Sequence, residues 1–223
     1  MIHYILYKYI SNMLKIAHRG YNAPDNTKVA FENAIQAQFD VLECDLHCTK
    51  DNVLILCHDR FIQQHNVEYT YYNKLRELDP DLLTLHELFS LFPPDKHKLY
   101  LDLKGGNQVA LVLARYLINN NIPLQLLHIA SFNFEHLEIM RISKLKVKVG
   151  LITANVFLPT DYSNLFAILD FIVIDWNTLS DDKMEELLLF EMPIFVYTCS
   201  NLNEYQHIKQ FPINGIVSDI TFL

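Results

Sequence analysis

The sequence predicts an α/β protein, a single closed (β/α)8 barrel with a short insertion between strand 2 and helix 2 and a truncated last helix. Three observations predict it. Apolar, β-branched runs alternate with helix-like stretches, the pattern of a parallel sheet built from βα units. The 223 residues contain no Pro/Gly/Ser-rich linker, low-complexity tract or charge block, and such a length suits one barrel of about 200–250 residues. Polar residues gather at the ends of several apolar runs, where a barrel builds its active site.

Eight strands are predicted at 15–18, 41–47, 98–104, 126–131, 146–152, 171–175, 194–198 and 215–218. Helices are predicted between them at 28–38, 84–91, 107–119, 134–143, 161–169, 181–190 and 202–210. Thr27 is the expected N-cap of the first helix. Thr84 and Glu87 have the spacing of a capping box that opens the second. Residues 53–57 read as a short extra strand folding back on 41–47 across the Asp51-Asn52 turn, and residues 60–80 as a Tyr-rich insertion. The chain stops at Leu223 just after the eighth strand, so the last helix is expected to be missing and the apolar segment 1–14 to pack on the barrel 15–223. With only 5 Gly, Asn and Asp must supply most turns, with Asn52, Asn73, Asn120 and Asn214 as the candidates.

Composition narrows the function. The chain is 51% hydrophobic and 20% charged with a net charge of −8 and no Lys/Arg run. That argues against a nucleic-acid binder and against steady attachment to anionic lipid. The apolar N-terminus is interrupted by Lys8 and is too short to span a bilayer. Cys44, Cys48, Cys57 and Cys199 show neither zinc-type spacing nor a disulfide ladder. A soluble, cytoplasmic protein with reduced thiols is expected; the sequence is silent on oligomeric state.

The first strand ends in His18-Arg19-Gly20. In the second, Glu43, Asp45 and His47 share one face, because residues i and i+2 of a strand point the same way; Leu42, Cys44 and Leu46 face the helices. In the third, Asp102 and Lys104 share a face. Carboxylates converging from neighbouring strands repel one another. Either a hard divalent cation gathers them, Mg²⁺, Ca²⁺ or Mn²⁺ suiting oxygen ligands, or they form a buried ion-pair network with Arg19 and Lys104. His18 and His58, each beside a strand end, are the acid–base candidates, since histidine titrates near neutrality; Asp59 stands next to His58 and could fix its tautomer. Arg19 and Lys104 could neutralise phosphate charge. Ser131, Tyr197 and Trp176 are candidates for a substrate wall.

These residues resemble the glycerophosphodiester phosphodiesterase family. HRGYNAPDNTKVAFENAI is similar to the family's HRG…PENT…AF opening, and DVLECDLHCTKDNVLILCHD to its E-x-D-x-H-x-T-x-D-G…HD block. LLTLHELF, YLDLKG, IASFN, VYTCSN and GIVSD stand where further family motifs fall. The resemblance runs from about Lys15 to the C-terminus, and its HRG, E-x-D and HD set is specific in combination. It implies a (β/α)8 barrel, His18 and His58 as the acid–base pair, Glu43, Asp45 and Asp102 as ligands of one divalent cation, and Arg19 and Lys104 as phosphate contacts. Asp102 stands where the family has Glu, Tyr197 where it has Trp, and Ser200 where it has Asn. The metal preference and the headgroup preference are therefore open.

The implied reaction is hydrolysis of a small-molecule glycerophosphodiester to glycerol phosphate and an alcohol. The nucleophile is water or the neighbouring glycerol hydroxyl. Lysophospholipase D-type activity, a non-catalytic phosphodiester-binding barrel and a phosphoinositide-type phospholipase C are the rival readings.

Overall fold

The computed structural model of the protein describes residues 13–154 and 167–221. Strands β1 (Leu14–Ala17) and β2 (Val41–Cys48) flank helix α1 (Lys28–Gln36). A short β3 (Leu54–Leu56), a two-strand ribbon of β4 (Phe61–Ile62) and β5 (His65–Asn66), and helices α2 (Tyr72–Leu78) and α3 (Leu85–Leu91) follow. Then come β6 (Leu99–Leu103), α4 (Gln108–Asn119), β7 (Leu127–Ser131), α5 (Phe134–Ile142), β8 (Lys148–Thr153) and β9 (Phe171–Asp175). The chain continues through α6 (Asp181–Leu188), β10 (Ile194–Cys199), α7 (Leu202–Ile208) and β11 (Gly215–Ser218).

The strands pair in the order β1-β11-β10-β9-β8-β7-β6-β2, and β1 pairs back onto β2. All these pairings are parallel, so the sheet closes into the eight-stranded barrel expected. The strand bounds differ from expectation by two residues or fewer. β3 pairs antiparallel with β2 as the fold-back across Asn52 requires, and Asn52 takes the left-handed turn there with φ 62°. Asn73 makes no turn but lies inside α2, and Asn121 rather than Asn120 adopts the positive φ after α4. Thr84 and Glu87 form both hydrogen bonds of the capping box. Residues 1–12 and most of the expected 161–169 helix lie outside the described residues.

Alternation divides the packing. Leu42, Cys44, Leu46, Leu101 and Leu103 face the helices in the larger core. Ile16, Tyr100, Ala130, Phe171, Val173, Phe195 and Val217 fill the barrel interior. Phe171 is the interior plug: its ring meets Tyr100 edge-on at 6.2 Å and Phe195 at 5.2 Å, and Gly150 opposite leaves it room. The four cysteines are free thiols. No helix among the described residues is long and apolar enough to cross a membrane.

Candidate active site

The carboxyl ends of the strands surround a cavity of about 160 Å³. Its floor is apolar, from Tyr100, Ile152, Val173 and Val217, and its walls carry His18, Arg19, Glu43, Asp45, His58, Asp102 and Lys104. Strand parity explains the gathering: Glu43 and Asp45 on β2 and Asp102 on β6 all point inward, and Asp45 and Asp102 are register partners.

One carboxylate oxygen from each of Glu43, Asp45 and Asp102 lies within 4.8 Å of the others, and all three residues are buried. Burial pushes the Glu43 carboxyl well up, and the charges of Asp45 and Asp102 push it further. Burial also lifts Asp102, to about 7, despite Lys104 beside it. Burial acts on Asp45 in the same sense, but Lys104 and Arg19 outweigh it and hold Asp45 below the usual range. Asp102 Oδ1 is buried and finds no hydrogen-bond partner among the described residues. Crowded, buried, oxygen-only and incompletely satisfied, this donor set fits a hard divalent cation.

The two cations are locally placed. Lys104 Nζ lies 2.5 Å from Asp102 Oδ2 and 3.2 Å from Asp45 Oδ1. Arg19 Nε lies 3.0 Å from Asp45 Oδ2, and the Arg19 backbone N–H donates to Glu43 Oε2 at 2.8 Å. A sharp turn after β1 makes this possible: Arg19 has φ 55° and Gly20 φ 95°. A Cβ on Gly20 would stand 2.4 Å from the Ala30 Cβ, so α1 can pack there only against glycine.

Each histidine of the cavity is backed by a carboxylate. His18 Nδ1 lies 2.7 Å from Asp219 Oδ1, and His58 Nδ1 lies 2.8 Å from Asp59 Oδ1. Burial raises the Asp219 carboxyl, but hydrogen bonds from His18 and Ser200 outweigh this and keep it low. An ionised carboxylate only accepts, so Nδ1 of His18 carries the proton and Nε2 is its basic nitrogen.

Of the expected wall residues, Tyr197 lines the cavity, where it meets Phe132 edge-on at 5.8 Å. Ser131 does not. It faces the helix layer, 1% exposed, donating to the Leu103 carbonyl at 2.9 Å and accepting from His136. The inward positions of β7 are His128 and Ala130, so parity turns Ser131 away and leaves Phe132, one residue on, to form the wall. Trp176 is also displaced: it sits in the turn Trp176–Thr178, donates from Nε1 to the Thr198 carbonyl at 3.1 Å and packs on His207, behind the strand ends. Sequence reasoning missed Asn26, which holds Asp45, although it belongs to the PDNT stretch. It also missed Asp219, which lies 201 residues from His18; the closing GIVSD motif was its only signal.

The chain is similar to known proteins along nearly its whole length. An uncharacterized protein of Mycoplasma genitalium is 26% identical over 222 residues, covering 88% of this chain and 90% of its own. A glycerophosphodiester phosphodiesterase structure from Parabacteroides distasonis superposes with a TM-score of 0.82 at 21% identity, covering 94% of each chain. An Oleispira antarctica phosphodiesterase solved with the product sn-glycerol-3-phosphate has a TM-score of 0.82 at 17% identity, covering 97% of this chain and 96% of its own. The model of the glycerophosphoryl diester phosphodiesterase family matches residues 18–221. With barrel, cavity and match in agreement, the chain belongs to the glycerophosphoryl diester phosphodiesterase family and is a phosphoric diester hydrolase.

Proposed function

We propose that the protein hydrolyses glycerophosphodiesters to glycerol phosphate and an alcohol, with one divalent cation held by Glu43, Asp45 and Asp102 and with His18 and His58 as the acid–base pair. The observation that carries this reading is the meeting of three buried carboxylates, two cationic side chains and two carboxylate-backed imidazoles around one cavity. The product held by the Oleispira protein supports the substrate class. A bound cation supplies Lewis-acid polarisation of a phosphoryl oxygen.

The chain's own residues do the rest. Arg19 and Lys104 oppose the charge that grows on the phosphoryl oxygens, in a cavity where water screens little. One imidazole takes the proton of the nucleophile at Nε2, and the other gives a proton from Nε2 to the departing alcohol oxygen. Asp219 holds the orientation of the His18 ring and stabilises its imidazolium while it exists. Phe132 and Tyr197 offer an apolar wall to the carbon skeleton beside the phosphate.

A matrix of glycerophosphodiester substrates against Mg²⁺, Ca²⁺ and Mn²⁺ tests the reading. Glycerol phosphate release should require a cation, vanish with chelator and fall by about 10²-fold or more in His18→Ala and in His58→Ala. Near-normal turnover in both variants refutes the acid–base assignment, and undiminished turnover in chelator refutes the cation site.

A further inference from the structure

His47 stands two residues beyond Asp45 on the cavity-facing parity of β2, and the mechanism above gives it no role. Its side chain is buried, with 2% exposed. Nε2 lies 3.3 Å from the backbone carbonyl oxygen of His58. A carbonyl can only accept, so Nε2 of His47 donates to it. Nδ1 is buried and finds no hydrogen-bond partner among the described residues.

Glu68, from the turn Val67–Tyr69 of the insertion, closes over the same spot. Its Oε1 accepts from the Gly106 N–H at 2.5 Å, just beyond Lys104. Both side chains crowd Gly105, where φ is 77°: a Cβ there would stand 2.2 Å from Glu68 Oε1 and 3.2 Å from His47 Nδ1. The His47 ring is thus wedged between the loop that carries His58 and the loop that follows Lys104.

Packing alone does not account for an imidazole here. A leucine or methionine would fill the space without burying a polar atom that lacks a partner. What a hydrocarbon cannot supply is the N–H to His58. The other polar tie of His58 goes to Asp59, whose side chain is 82% exposed, and an ion pair in that setting constrains little. The bond from His47 comes from a rigid, buried strand.

We propose that His47 is a positioning residue that fixes His58 through its backbone carbonyl, with Glu68 holding the insertion over the ring. The proposal rests on the reading of His58 as an acid–base group.

A double-mutant cycle of His47→Leu and His58→Ala tests it, with glycerophosphocholine and a chromogenic phosphodiester as substrates in saturating Mg²⁺. His47→Leu should lower kcat by about 10- to 100-fold, the range seen when an outer-shell partner is removed, while KM changes by less than about twofold. In the His58→Ala background the same change should cost nothing further, because residues acting through one another are not additive. His47→Gln, whose amide N–H can reach the same carbonyl, should recover most of kcat. Wild-type kcat in His47→Leu, or an equal fold-loss in both backgrounds, overturns the proposal. If His47→Leu does not fold, His47→Met takes its place with the same two outcomes. Full activity in His58→Ala removes the acid–base reading and this proposal with it, whereas an inactive His58→Ala beside an unaffected His47→Leu removes the positioning role alone.

Discussion

Asn26 grips Asp45 from two sides: its Nδ2 donates to Asp45 Oδ2 at 3.0 Å, and its Oδ1 accepts from the Asp45 backbone N–H at 3.1 Å. The residue is buried and sits at φ 59°, a conformation Asn tolerates better than Ala. A ligand oxygen held this way is aimed before any cation arrives. Asn26→Ala should therefore weaken cation affinity by about 10- to 100-fold, read as the Mg²⁺ concentration giving half-maximal activity. An unchanged half-saturation point would show that Asp45 keeps its aim without Asn26.

The barrel interior predicts a pH dependence of stability. His128 is buried between the rings of Phe171 and Phe195. Burial, aided by Lys148 and Lys98 and opposed by a hydrogen bond to the Leu126 backbone and by Asp170, lowers its pKa to about 4, against about 6.5 in an unfolded chain. Between those values the unfolded state binds the proton and the folded state does not. Stability from this group is complete above the unfolded value and is lost as pH falls toward the folded one, by about 2–3 kcal/mol. Denaturant midpoints measured from pH 7 to pH 4 should fall less steeply in His128→Leu than in the wild type. Parallel slopes would rule His128 out as the source.

Ser131 should matter for stability and not for turnover. Ser131→Ala removes the hydroxyl that the Asn133 N–H and His136 Nδ1 meet at 3.0 and 2.9 Å in the helix layer, at a cost of about 1–3 kcal/mol. Thermal unfolding should report that loss while kcat on glycerophosphocholine stays at the wild-type value. A drop in kcat without a drop in stability would place Ser131 back at the substrate.

Gly150 marks a tight fit inside the barrel. A Cβ there would stand 2.2 Å from Phe171 Cε2. Gly150→Ala should destabilise by about 1–3 kcal/mol through overpacking, and the loss should be smaller in a Phe171→Leu background. Equal losses in both backgrounds would show that the ring is not what the methyl group meets.

Much of the site was legible in the sequence because strand parity is a local property. Glu43 and Asp45, separated by two, had to share a face, and Asp102 with Lys104 likewise. Closure of eight parallel strands then brought those faces together. Parity also explains the failures: Ser131 and Phe132 differ by one position, and a strand-end residue read without the register of β7 is as easily assigned outward as inward. Trp176 failed because its turn, not its strand, sets its direction.

The alternation of apolar runs and the residue types at their ends determined the barrel and most of the cavity's chemistry, since backbone geometry fixes which side chains share a face. Only the tertiary structure decided the partnerships across long separations. His18 meets Asp219, Asn26 grips Asp45, and His47 reaches the His58 carbonyl, because barrel closure and buried packing, rather than sequence spacing, set those distances.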